Sequence, residues 1–68
     1  MLELVKIKRD KETKEETVVP LFLRKSDIIC LYRGRGGNFI VTKQGFMHKV
    51  PYPIHEVELI MASDTSDL

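Results

Sequence analysis

The amino-acid sequence predicts a mainly β protein: a five-stranded antiparallel meander or small open barrel, with one short C-terminal helix. Three observations carry that expectation. Short runs dense in Val, Ile, Leu, Phe and Tyr, over 2–8, 17–23, 28–33, 39–42 and 46–50, alternate with polar or glycine-bearing breaks, as strands joined by turns do. Gly34, Gly36, Gly37 and Gly45 sit in two of those breaks, where tight hairpins need positive φ. Only after Pro53 do apolar residues recur at helical spacing.

The first strand, over 2–8, interleaves Leu2, Leu4, Val5 and Ile7 with Glu3, Lys6 and Lys8. Its alternation slips between Leu4 and Val5, which predicts a bulge or burial on both faces. The wholly polar stretch 9–16 reads as a solvated loop between two antiparallel strands. In the second strand, over 17–23, Pro20 has no N–H to donate, so it belongs at a sheet edge or a bulge. A turn at 24–27 leads to a third strand over 28–33. Its unbroken run of Ile28, Ile29, Cys30, Leu31 and Tyr32 predicts burial on both sides. A glycine-rich turn at 34–38 precedes a fourth strand at 39–42. Lys43, Gln44 and Gly45 then make a hairpin loop, with Gly45 left-handed beside a bulge. A fifth strand spans 46–50.

Pro51 and Pro53 end strand pairing, and Pro53 suits the first turn of a helix, where a missing N–H costs nothing. Ile54, Val57, Ile60 and Met61 then share one helical face, with Glu56 in the first turn, where the helix dipole favours negative charge. A strand competes over 54–62, since Val57, Leu59 and Met61 also alternate with their neighbours. Ile60 breaks that alternation, which favours the helix. These elements make one domain over 1–62, followed by a polar, frayed tail over 63–68.

With 68 residues the chain has room for one core, and a chain of this size buries only roughly 60% of its unfolded surface. Such cores are commonly supplemented by disulfides, a metal or oligomerisation. Cys30 is the sole cysteine, so an internal disulfide is excluded and self-association leads. No apolar run approaches the ~20 residues of a membrane span, and the first residues lack the pattern of a secretion signal. A lone cysteine in an apolar strand suits a reducing compartment. The expected location is cytoplasmic, with no membrane partner.

The net charge of +1 conceals an uneven layout. Arg24, Lys25, Arg33, Arg35, Lys43 and Lys49 face only Asp27 within 24–49, a local +5. Residues 50–68 carry Glu56, Glu58, Asp64 and Asp67 with no Lys or Arg, a local −4. These two segments are opposed candidate contact surfaces for two partners, or for each other across a subunit interface.

No catalytic constellation emerges. Cys30, set in the most apolar strand, reads as a small core residue, because desolvation quenches a thiol. Cys30, His48 and His55 match no compact zinc spacing, so neither a metal nor a cofactor is expected. The distinctive stretch is the turn holding Arg33, Arg35 and Asn38, flanked by Tyr32 and Phe39. Its glycines join strand to strand, whereas a phosphate-cradling loop joins strand to helix. Arginines there, with Lys43 and Lys49, suit a phosphodiester backbone, and outward aromatics would stack on bases. The plainer reading gives the glycines to turn geometry and the arginines to solubility. Strand edges offer a second docking mode, by backbone pairing with another chain.

Asp27, Ile28 and Ile29 open a strand, and a polar hairpin, the strand 38–42, Gly45 and the helical segment 54–59 follow. This order resembles the β-rich half of LytTR-type DNA-binding domains. Gly45, Val50 and the pair Glu56 and Val57 are similar to the pattern of the small flagellar FlbD family. Both resemblances imply a strand–turn–helix architecture and a regulatory role. The function expected is that of a non-enzymatic regulatory or adaptor module working by protein contact as a homo-oligomer. The alternative is a nucleic-acid-binding module using the basic 33–49 region.

Overall fold

A computed structural model describes residues 1–63. It is mainly β, with five strands and one C-terminal helix: β1 (Leu2–Arg9), β2 (Glu16–Leu23), β3 (Ile28–Gly34), β4 (Gly37–Thr42), β5 (Met47–Val50) and α1 (Ile54–Ser63). The strands divide into two antiparallel sheets, β1–β2 and β3–β4–β5. The meander is broken where a 3-10 turn (Lys25–Asp27) separates β2 from β3. β1 runs alongside β5 without a backbone ladder between them. The strand order in space is therefore β2-β1-β5-β4-β3, an unclosed structure with edges at β2 and β3.

The β1–β2 ladder is regular from Leu2↔Leu23 to Arg9↔Glu16, so β1 has no bulge. The slip in its pattern instead records two partly apolar faces: Leu2 and Leu4 are buried, and Val5 and Ile7 are half-buried on the other side. The bulge falls in β3, between Ile28 and Cys30. The β1–β2 loop is ordered by Asp10, whose Oδ1 accepts from the Glu12 N–H at 2.8 Å while its carbonyl accepts from the Lys14 N–H at 2.9 Å. At the β4–β5 loop Thr42 accepts from the Gly45 N–H (2.9 Å) and donates to Phe46 (3.0 Å), with Gly45 at φ +89°. That is the three-residue hairpin with a left-handed glycine that the sequence predicts.

The residues that face inward are set by register. Leu2, Leu4 and Leu21 from one sheet meet Ile40 and Val50 from the other, and Val57 of α1 closes the cluster. Ile60, Met61, Ile28 and Leu31 pack around it. The helical alternative for 54–62 thus holds, because Val57, Ile60 and Met61 serve the core while Leu59 points to solvent. Pro53 lies one place earlier than expected: its carbonyl accepts the first helical bond, from Val57 at 3.2 Å, so it caps the helix instead of starting it. Ser63 belongs to the helix and donates to the Leu59 carbonyl at 2.9 Å. The remainder of the expected tail, 64–68, lies outside the described residues. Among the described residues no helix is long and apolar enough to cross a membrane.

Tyr52 joins the two sheets. The Val5 N–H donates to its hydroxyl at 3.2 Å, and Asn38 Nδ2 donates to its carbonyl at 2.9 Å. Because Val5 points its N–H away from β2, the opposed Val5–Pro20 pair is a non-hydrogen-bonded one. The N–H that Pro20 lacks would therefore face the open edge of β2, where a proline costs no ladder bond. Among the described residues one buried side-chain oxygen is left over: the Thr42 hydroxyl has no hydrogen-bond partner. Tyr52→Phe keeps the ring and removes the acceptor for Val5. It is expected to cost about 1–2 kcal/mol of unfolding free energy, measured by urea denaturation against the wild type.

Candidate functional site

An antiparallel sheet with one covered face normally reads apolar inward and polar outward. The three-stranded sheet departs from this. Its inward set is Ile28, Leu31, Ile40, Thr42, His48 and Val50, together with Arg33 and Asn38 at one end. Its outward set forms two cross-strand rows, Cys30–Val41–Met47 and Tyr32–Phe39–Lys49. Five of those six outward residues are apolar or aromatic, so both faces of the sheet are apolar. Tyr32 and Met47 are about half exposed, at 50% and 54%.

β3 was expected to be buried on both sides, and it is not. Ile29, Cys30 and Tyr32 are exposed, and only Ile28 and Leu31 turn toward the core. The reason is topological. β3 is the edge of its sheet, and α1 covers the inward side alone. Cys30 is accordingly a surface thiol, not a core residue.

The basic residues singled out from the sequence do not form one patch. Arg33 and Arg35 are exposed at the β3–β4 turn. Lys43 lies at the far end of β4, where its N–H donates to the Asp27 carbonyl at 2.9 Å. Five residue steps along β4 separate the two ends by roughly 17 Å. Lys49 is committed elsewhere, paired with Glu16 at 2.9 Å. That hydrogen-bonded ammonium holds the Glu16 carboxyl below its usual range. Asn38 is spent on Tyr52, so it is a strut between β4 and the segment after β5. Of the acidic C-terminal group, Glu56 and Glu58 are exposed on α1, and Asp64 and Asp67 lie outside the described residues.

Tyr32 and Phe39 do face outward, as a stacking role requires. Their ring centroids are 6.1 Å apart, tilted by 43°. The turn glycines make room for this layer. A Cβ on Gly34 would come within 2.6 Å of the Tyr32 ring, and one on Gly37 within 3.1 Å of the Lys49 stem. Of the three glycines here only Gly37 has positive φ, at +137°.

The outward layer continues across the seam between the sheets. Glu16, Val18, Pro20 and Phe22 of β2 share a face with Val5 and Ile7 of β1, and the Lys49–Glu16 pair ties that face to β5. Val18 and Phe22 are 62% and 58% exposed. Reading for basic and aromatic motifs missed Val18, Val41 and Met47. The signal available was that residues 39–41 are apolar without alternation. On the inward side His48 is half-buried beside Phe46, at 5.9 Å between ring centroids. Partial burial, and secondarily the charge of Lys6, push its imidazole below its ordinary 6.5. Among the described residues no three His, Cys, Asp or Glu side chains come together.

Two outcomes follow. Gly37→Ala forces a side chain into a positive φ and is expected to cost about 1–3 kcal/mol. Gly36→Ala meets only Phe39, at 3.8 Å, and is expected to be neutral or to stabilise by up to about 1 kcal/mol; thermal unfolding of both variants checks the pair. His48 has a lower pKa folded than unfolded, so near pH 6.5 the unfolded chain binds more protons and stability rises with pH. Tm is expected to be highest above pH 7 and to fall as pH drops through 6.5, and His48→Gln is expected to flatten that slope. No family model, curated protein or solved structure matches the chain.

Proposed function

We propose that the protein is a non-enzymatic regulatory or adaptor module that acts through protein–protein contact as a homo-oligomer in the cytoplasm. The observation that supports this reading is the outward apolar layer on β3, β4 and β5, where an antiparallel sheet facing water alone would be polar. The small core supports it too. Six apolar side chains are buried among the described residues, and domains of this size commonly gain stability from association. The exposed thiol of Cys30 fits a reducing compartment. The regulatory element of the proposal rests on the resemblance to LytTR-type and FlbD chains.

Nucleic-acid binding is the second reading, favoured by one observation: the half-exposed Tyr32 ring lies over Gly34, at the turn that also carries the exposed Arg35. The dispersal of Lys43 and the neutralisation of Lys49 weaken it, since phosphate grip depends on converging cations. Sedimentation equilibrium between micromolar and hundred-micromolar protein tests the first reading. A mass that is a multiple of 7.9 kDa is expected, and a monomer throughout overturns it. For the second, low-salt gel shifts with DNA and RNA are expected to show no complex. A complex that weakens in Arg33→Ala/Arg35→Ala would reverse the preference between the two.

A further inference from the structure

We infer that the outward face of the two sheets is a two-fold, sheet-on-sheet interface with a second copy of this chain. The inference rests on the homo-oligomer reading above and names the surface that does the work. Three features select this occupant.

The first is area. Val18, Phe22, Tyr32 and Met47 each expose half or more of their surface, with Phe39 and Val41 half-buried between them. Half of an aromatic side chain's about 150–250 Å² from each of the four gives on the order of 400 Å², before the partly exposed Val5, Ile7, Phe39 and Val41 are added. That lies within the range for the largest patch on a monomer, and the surrounding strand surface extends it toward the ~800 Å² per partner of a standard interface.

The second is charge. The charged residues at the layer's own strand positions are Glu3, Arg9, Glu16 and Lys49, two of each sign. An isologous contact places a surface against itself, so it needs a face without net charge. Nucleic acid or a strongly charged protein would select the opposite. The third is geometry. Packed sheets lie ~10 Å apart with interdigitating apolar side chains. The Tyr32 ring, folded over Gly34, keeps the hairpin thin enough for that approach. The strand edges are less suited: β2 carries Pro20, and β3 is bulged between Ile28 and Cys30.

The test uses exposed positions, whose substitution leaves the monomer's own core untouched. Met47→Glu/Val18→Glu puts two like charges on the layer, and Leu59→Glu puts one on the solvent side of α1, where Leu59 is 64% exposed. Circular dichroism is expected to show all three proteins folded. Light scattering at 100 µM is expected to give a dimer for the wild type and Leu59→Glu, and a monomer for Met47→Glu/Val18→Glu. A dimer that survives the double substitution, or that is lost in Leu59→Glu, overturns this interface while leaving the homo-oligomer reading intact. A monomeric wild type overturns both.

Discussion

The two sheets share no backbone ladder, and Tyr52 is the residue whose hydrogen bonds bridge β1 to β4. Its phenol takes the Val5 N–H from β1 and its carbonyl takes the Asn38 amide from β4. A side chain therefore does what a hydrogen-bonded strand would do in a closed barrel. The position suits the task, because Pro51 and Pro53 on either side cannot donate to a ladder. The chain is forced out of the sheet just where β1 needs a partner. From there Pro53 caps α1, which carries Val57 onto Leu2, Leu4, Leu21, Ile40 and Val50. Core, seam and helix thus depend on one turn.

This construction has a consequence for the surface. One short helix can cover only one side of five strands, and α1 covers the inward side. The outward side keeps Tyr32, Phe39, Val41 and Met47 without a covering element among the described residues. The same layer is locally well ordered: the Tyr32 ring, paired with Phe39, rests on Gly34, which admits no Cβ without displacing it. Lys49 contributes its stem to this packing and its charge to Glu16. A residue that reads as a free cation in the sequence is therefore a clasp across the seam. Its ion pair is exposed, so its value lies more in alignment of the two faces than in stability.

Much of the fold was legible locally. The five strands, the Gly45 hairpin, Pro20 at an edge and the helical face of Val57, Ile60 and Met61 all follow from period and turn chemistry, which act over a few residues. The site was less legible. Nothing local distinguishes the β3 run 28–32 as half-exposed, because an apolar run looks the same in a central strand and at an edge. The spread of Arg35 and Lys43 to opposite ends of β4 follows from strand length, which a charge count over 24–49 ignores.

The sequence by itself determined the class, the order of elements and the residues able to bend or end them. Those properties arise from backbone sterics and from side-chain periodicity within each segment. Only the tertiary structure decided that β2 and β3 do not pair with each other, that Tyr52 bridges the gap, and that Cys30 and Met47 face out. Those outcomes depend on which strand finds a neighbour and which face the helix reaches, and both are set by contacts between residues far apart in the chain.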